Sequence, residues 1–464
     1  MTEPPRELVE PLSHHGQQHL LYGWDGLSPA RRDGLVAQLA KVDFPRLAAL
    51  YAERDAPQAA LPPRAAIAPI PVRPRAVTPD VIARGEEALR RGEVAVLLVA
   101  GGQGSRLGSD KPKGMFPVGP VTDATLFRIH AEKVLAASRR YGRPVPLLVM
   151  TSPATHAETE AYFHAHGFFG LAPGDVYFFQ QGTMPAVDLA TGRLLLEAPG
   201  RLFLSPNGHG GTLTALAETA VLDAMEARGV RHVFYFQVDN PLVKVCDPAF
   251  LGGHVAAGSE ASSKVVFKEQ PGEKVGVLAV VAGRKAIVEY SDLPADMAAE
   301  READGTLRFR AGSPAIHLFD VAFLRRVTGA GGLAYHVARK KVPYLDTDTG
   351  LTVSPAVENA LKFELFVFDA LPLADRWLAM ETGRAEEFAP LKNATGADSP
   401  ASVRRAMSRL HAGWLEGAGV AVPRAADGDP LHPIEISPLF ALDADACRGK
   451  VPPGLAVSGP TYLG

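Results

Sequence analysis

Gly101, Gly102 and Gly104 follow the apolar run Val96–Ala100, and two cations, Arg106 and Lys113, come soon after them. Glycine lacks a Cβ, so main-chain N–H groups at such positions can close on a bound anion. Arginine adds a planar fork of donors and lysine a compact charge, the two forms in which proteins meet phosphate oxygens. Further along, Asp239 ends the apolar stretch His232–Val238. A carboxylate at a strand end can hold a hard cation such as Mg²⁺ through oxygen, or simply open the turn at Asn240-Pro241. Glycine loop, cations and carboxylate together suit chemistry on nucleotide phosphates.

Two better-known phosphate loops fit less well. The third glycine of a G-x-G-x-x-G dinucleotide fingerprint is displaced here, because Leu107 stands between Arg106 and Gly108. A Walker loop needs Lys-Ser or Lys-Thr directly after its last glycine, and the lysine nearest the glycines, Lys111, is followed by Pro112. Read alone, the segment is also compatible with a tight strand-to-helix connection.

These residues need elements to position them. Buried strand patterns are expected at 94–100, 145–150, 233–238, 263–267 and 314–319, alternating with helical stretches at 125–140, 154–166 and 212–228. That alternation predicts an α/β domain, in which ligands sit beyond the carboxyl ends of the strands. The glycine loop and Asp239 both fall at such ends. Before this domain, Ser28-Pro29 reads as the cap and first turn of a helix bearing Leu35, Leu39 and Val42 on one face. Seven prolines between Ala56 and Pro79 favour an extended, solvated path. After about 335 the pattern restarts, with a helix expected over 358–371. Three segments follow: a helical N-terminal region with its proline-rich linker (1–85), an α/β catalytic domain (86–332) and a smaller C-terminal domain (333–464).

The 464 residues are too many for one ordinary core, and 47% hydrophobic content is ample for several. A net charge of −3 argues against nucleic acid or an anionic membrane as partner. Cys246 and Cys447 are the only cysteines, which is no disulfide framework. The acidic N-terminal stretch lacks the form of a signal peptide, and no apolar run approaches membrane-spanning length. A cytoplasmic protein is expected.

The string AGGQGSRLGSDKPKG at 100–114 closely resembles the uridylyltransferase signature of the UDP-sugar pyrophosphorylases, most of all their UDP-N-acetylglucosamine branch. Further matches follow in order: FFQQGTMPAVD (178–188), SPNGHGGTLTAL (205–216), FQVDNPLVKVCDP (236–248), KVVFKEQPGEKVGV (264–277), VEYSDL (288–293), HVARKKVPYLD (336–346) and FAPLKNATG (388–396). Even HLLYGWDGLSP (19–29) is similar to the family's helical opening. The resemblance implies a Rossmann-like, glycosyltransferase-A-like nucleotidyltransferase domain that joins UTP to a hexose 1-phosphate with Mg²⁺.

Residue by residue, it implies that Arg106 meets the β and γ phosphates, Lys113 the α phosphate, and Lys392 the nucleotide phosphates from the C-terminal region. Gly101 and Gly102 approach the nucleotide, and Asp239 holds the metal. Gln181 reads the uracil edge, with Gln180 as the alternative, and Gly208 offers a main-chain contact to the base. Lys244 either assists pyrophosphate or is solvated. His209, Gly276 and Glu289 fall at hexose-contacting positions. Two of the sugar positions depart from the N-acetylglucosamine pattern. His209 stands where asparagine is usual, and G-H-G is reminiscent of the UDP-glucose branch. Ile316 occupies a position where an asparagine contacting the sugar is expected.

The leading expectation is therefore a UTP-dependent uridylyltransferase acting on N-acetylglucosamine 1-phosphate, with glucose 1-phosphate as the alternative. A nucleotide-sugar binder without turnover fits less well, because a pure binder does not need so many cations against a leaving pyrophosphate. An NAD-type oxidoreductase is disfavoured by the displaced glycine.

Overall fold

The computed structural model describes residues 3–55, 61–75, 77–329 and 332–464. Its contacts group into two units. One comprises Met1–Ala60, Gln181–Gly211 and Leu333–Val367; the other comprises Leu61–Gln180, Thr212–Gly332 and Phe368–Gly464. This grouping cuts across the three consecutive segments expected from sequence, since residues 333–464 are divided between the two. No helix among the described residues is long and apolar enough to cross a membrane.

The larger unit is built on a mixed sheet of 11 strands. One side of it is parallel out to the edge: His232–Gln237, Val94–Val99, Leu147–Thr151 and Val176–Gln180 lie side by side in that order. All six residues of Val94–Val99 are buried, as expected for a strand covered on both faces. Beyond His232–Gln237 the pairing turns antiparallel through His317–Asp320 and Ala261–Phe267. Trp377–Glu381 then adds in parallel to Ala261–Phe267. The helix Leu126–Tyr141 packs on the sheet through Phe127, Ile129, Ala131, Val134 and Ala137, a helical spacing of apolar residues.

The smaller unit has its own core. The helix Pro29–Leu39, capped by Ser28 Oγ accepting from the Arg31 N–H, buries Leu35 and Leu39 against Leu12, Trp24, Leu202 and Phe363. Tyr335–Lys340 pairs antiparallel with Ala360–Leu365.

Three expectations change. Residues 358–371 form the strand Ala360–Leu365 and the 3₁₀ segment Val367–Leu373 instead of a helix. Leu361, Phe363 and Leu365 are buried, with Lys362 and Glu364 between them, which is the two-residue period of a strand. The stretch 212–228 is two helices, Gly211–Glu218 and Val221–Ala227. At the break Thr219 Oγ1 donates to the Ala215 carbonyl at 2.6 Å and Ala220 turns to φ +58°. The proline-rich stretch is not simply solvated. Residues 56–60 and 76 lie outside the described residues, but Ile67–Pro69 pairs with Val277–Val281 at the end of the sheet, where proline is tolerated.

Candidate active site

The glycine loop leaves the carboxyl end of Val94–Val99 and folds back on itself. The Lys113 N–H donates to the Gly102 carbonyl at 3.0 Å, and the Gly104 N–H to the Lys111 carbonyl at 2.9 Å. This closure returns Lys113 to the strand end from which the loop started. Gly108 sits at φ +75°, where an L side chain is strained. A Cβ at Gly114 would lie 2.2 Å from the Phe127 ring, so packing alone demands glycine there. Gly102 differs, because no protein atom lies within 4 Å of where its Cβ would be. Space, not packing, surrounds that glycine.

The next strand over ends beside the loop. The Val238 N–H donates to the Val99 carbonyl at 3.0 Å, which carries Asp239 to the same edge. Lys113 Nζ lies 3.6 Å from Asp239 Oδ2, with side chains 19% and 13% exposed. Lys113 Nζ also donates to the Leu391 carbonyl at 3.2 Å, and the Leu391 N–H donates to the Asp239 carbonyl at 2.8 Å. Lys392, next in the chain, is thereby brought to the Asp239 edge. Lys113, Asp239 and the 391–392 segment thus converge from three distant stretches of sequence.

Asn240, which the sequence marks only as a turn residue, fastens this convergence. Its buried Nδ2 donates to the Glu387 carbonyl at 2.7 Å, and its Oδ1 accepts from the Ala389 N–H at 3.1 Å. The helix Leu126–Tyr141 supports the same turn from beneath. His130 Nε2 is 3.0 Å from the Val238 carbonyl, and Lys133 Nζ donates to the carbonyls of Pro241 and Val243, the latter at 2.8 Å. Burial pushes the Lys133 ammonium down to about 7 and the His130 imidazole down to about 3. No local motif announces these two; only the buried face of an amphipathic helix does.

The cations divide into two groups. Arg106 is exposed and Lys392 half-buried, and neither side chain has a hydrogen-bond or ion-pair partner among the described residues. Lys244 instead pairs with Glu386, which itself bonds Arg75 at 2.7 Å, so it is neither free for pyrophosphate nor simply solvated.

At the sugar-contact positions, Gly276 and Glu289 flank the hairpin Val277–Val281/Arg284–Val288. Glu289 Oε1 is 3.5 Å from where a Gly276 Cβ would stand. Ile316 does not face an open pocket. It is 0% exposed within the main core, and its carbonyl accepts from the Lys264 N–H at 3.0 Å. Core packing therefore explains its apolar character.

Gln181, in the smaller unit, is buried and its amide makes no hydrogen bond among the described residues, whereas Gln180, in the larger unit, is exposed. The Asn207 N–H donates to the Gly182 carbonyl at 3.0 Å, linking the FQQG and PNGHGG strings. Gly208 has φ +85°, and its Cβ would stand 2.4 Å from the Leu365 carbonyl, so the backbone itself requires glycine. His209 Nδ1 accepts from the Val367 N–H at 3.2 Å, and its ring lies 5.4 Å from that of Phe366.

The family model for UTP–glucose-1-phosphate uridylyltransferase matches residues 68–402. The chain belongs to this family. UDP-N-acetylhexosamine pyrophosphorylase-like protein 1 of Xenopus tropicalis is 39% identical to it, over 92% of this chain and 90% of its own length. UDP-N-acetylglucosamine diphosphorylase 2 of Arabidopsis thaliana is 36% identical, over 97% and 93%. Among solved structures, the uridine diphosphate N-acetylglucosamine pyrophosphorylase of Trypanosoma brucei, in complex with an inhibitor, superposes with a TM-score of 0.84 at 28% identity. That match covers 100% of this chain and 99% of the other. As a member of the uridylyltransferase family the chain is a nucleotidyltransferase, and its mixed α/β sheet is the fold of its structural neighbours.

Proposed function

We propose that this uridylyltransferase forms a UDP-sugar and pyrophosphate from UTP and a hexose 1-phosphate, with N-acetylglucosamine 1-phosphate as the preferred sugar. The observation that carries the phosphate chemistry is the convergence of Lys113, Asp239 and the Leu391-Lys392 segment at the carboxyl ends of two parallel strands. An oxygen of the sugar phosphate attacks the α-phosphorus in line, a P–O bond forms, and the bond to the β-phosphate oxygen breaks as pyrophosphate leaves. Such a reaction needs no covalent nucleophile on the protein, only positioning and charge neutralisation. Arg106 neutralises the β and γ phosphates, Lys113 the α phosphate, and Lys392 adds charge from the 388–396 segment. Gly101 and Gly102 give the nucleotide room to approach main-chain donors, and Gln181 and Gly208 read the base.

A divalent cation fits Asp239. A single carboxylate completed by substrate phosphates and water is the usual setting of Mg²⁺, and at 3.6 Å Lys113 is too far to occupy the carboxylate with a direct hydrogen bond. The ion would supply Lewis-acid stabilisation of phosphate charge. The family resemblance assigns the hexose to Glu289, Gly276 and His209.

The names of the relatives favour the N-acetylated sugar. Glucose 1-phosphate is the second reading, favoured by the name of the family model and by histidine at position 209. Pyrophosphate release should be measured with UTP, Mg²⁺ and a panel of sugar 1-phosphates. The highest kcat/KM is expected with N-acetylglucosamine 1-phosphate. A higher value with glucose 1-phosphate moves the assignment to the second reading, and release with no sugar phosphate in the panel overturns both.

A further inference from the structure

The strand that delivers Asp239 carries a different set of ligands at its other end. His232 opens His232–Gln237, Asp320 closes the antiparallel neighbour His317–Asp320, and the two are register partners. His254, on the helix Pro248–Ala256, reaches the same point. His232 Nδ1 and His254 Nε2 both approach Asp320 Oδ1, at 2.7 and 2.8 Å, and one ligand atom from each residue falls within a 4.8 Å cluster. Roughly 17 Å of strand separates this cluster from the catalytic edge.

We propose that His232, His254 and Asp320 form a binding site for a borderline divalent metal such as Zn²⁺, separate from the cation at Asp239. Two imidazoles and a carboxylate suit zinc, and hard Mg²⁺ prefers oxygen alone. Zinc with three such ligands and bonds of about 2.0–2.1 Å sets its ligand atoms about 3.3 Å apart. The two nitrogen–oxygen distances therefore have to open by about half an ångström, and Asp320, at 32%, is the most exposed of the three side chains. His254 is held in the metal-binding orientation from behind. Its Nδ1 lies 2.8 Å from Oγ of the buried Ser262, which fixes the ring and leaves Nε2 for the ion. The bound ion joins a strand start, a strand end and a helix, and its role is a structural clasp.

The test is zinc titration of the chelator-stripped, full-length protein, by calorimetry and by metal analysis after gel filtration, with thermal melting in parallel. One Zn²⁺ per chain and a raised Tm are expected, with Mg²⁺ unable to compete. Asp320→Asn and His232→Gln should each abolish the stoichiometric binding, and Ser262→Ala should weaken it about tenfold or more. Both ligand substitutions lie at partly exposed positions, so they remain informative should a change at the buried His254 prevent folding. Absence of zinc binding by the parent, or binding that Asp320→Asn and His232→Gln leave intact, overturns the proposal.

Discussion

Two groups of charges share the segments 239–247 and 382–392 and are arranged in opposite ways. Behind the site, Lys264 Nζ meets Asp247 at 2.7 Å and both Glu387 oxygens at 2.6 Å, with Lys264 and Glu387 each 2% exposed. Thr382 Oγ1 donates to the same Glu387 carboxylate. Burial opposes the Lys264 charge, but Asp247 and Glu387 outweigh it and its pKa rises. At the catalytic edge, Arg106 and Lys392 have no side-chain partner among the described residues, and Lys113 stands off from Asp239. The fully paired group completes its electrostatics within the chain and holds the scaffold. In the proposed reaction, the polyanionic substrate completes the charges left open at Arg106 and Lys392. On that reading, pairing within the protein separates structural charge from working charge, even a few residues apart in sequence.

The largest test of this division is Glu387→Ala. It strands Lys264 in the interior opposite Asp247 alone, and should cost about 3–5 kcal/mol in chemical denaturation. A loss below about 1 kcal/mol would show that the network is not structural. Asp239→Asn probes the other group. Turnover should fall about a hundredfold or more, equivalent to about 2.7 kcal/mol of barrier, while the denaturation midpoint hardly moves. Unchanged pyrophosphate release would remove Asp239 from the metal role.

A third test uses pH. His130, buried under the Asp239 turn, has its pKa depressed by burial and then by Lys133, to about 3. Below the ordinary imidazole value of about 6.5 the unfolded chain takes up a proton that the folded chain refuses. Folding stability is therefore lost as pH falls from about 6.5 towards 3, by about 1.4 kcal/mol per pH unit from this residue. His130→Gln should flatten the slope by that amount when denaturation is compared at several pH values; parallel slopes would mean that His130 is protonated in the folded protein. The smallest effect on stability is expected for Arg106→Ala. Exposed and unpaired, it should change stability by less than about 0.5 kcal/mol, yet lower kcat/KM for UTP about tenfold or more. A marked loss of stability would reveal a structural partner and blur the contrast.

The glycine loop and the central strands were legible because chemistry and burial coincide there. Five apolar residues run into glycines, and the strand lies where that pattern predicts. Asp239 was legible as a strand-end carboxylate. The cradle around it was not. Asn240, His130 and Lys133 act through main-chain carbonyls brought close only by folding, and such contacts leave no mark in local spacing. The 358–371 stretch misled because Leu361, Phe363 and Leu365 sit among good helix formers, and the pairing of Ala360–Leu365 with Tyr335–Lys340 overrode their propensity. At Ile316 a family pattern suggested a sugar contact, but the side chain answers to the core.

The helix Leu126–Tyr141 also acts as a ruler. Near its start, Phe127 fills the space left by Gly114, next to Lys113; further along, His130 and Lys133 grip the carbonyls around Asp239. The span from Phe127 to Lys133 is about 9 Å of rigid rise. The distance between the lysine and the carboxylate is thereby gauged by a length of helix, and loops on either side can vary without resetting it. Removing one residue between 127 and 130 would turn the gripping face by about 100° and take both carbonyl clamps out of reach.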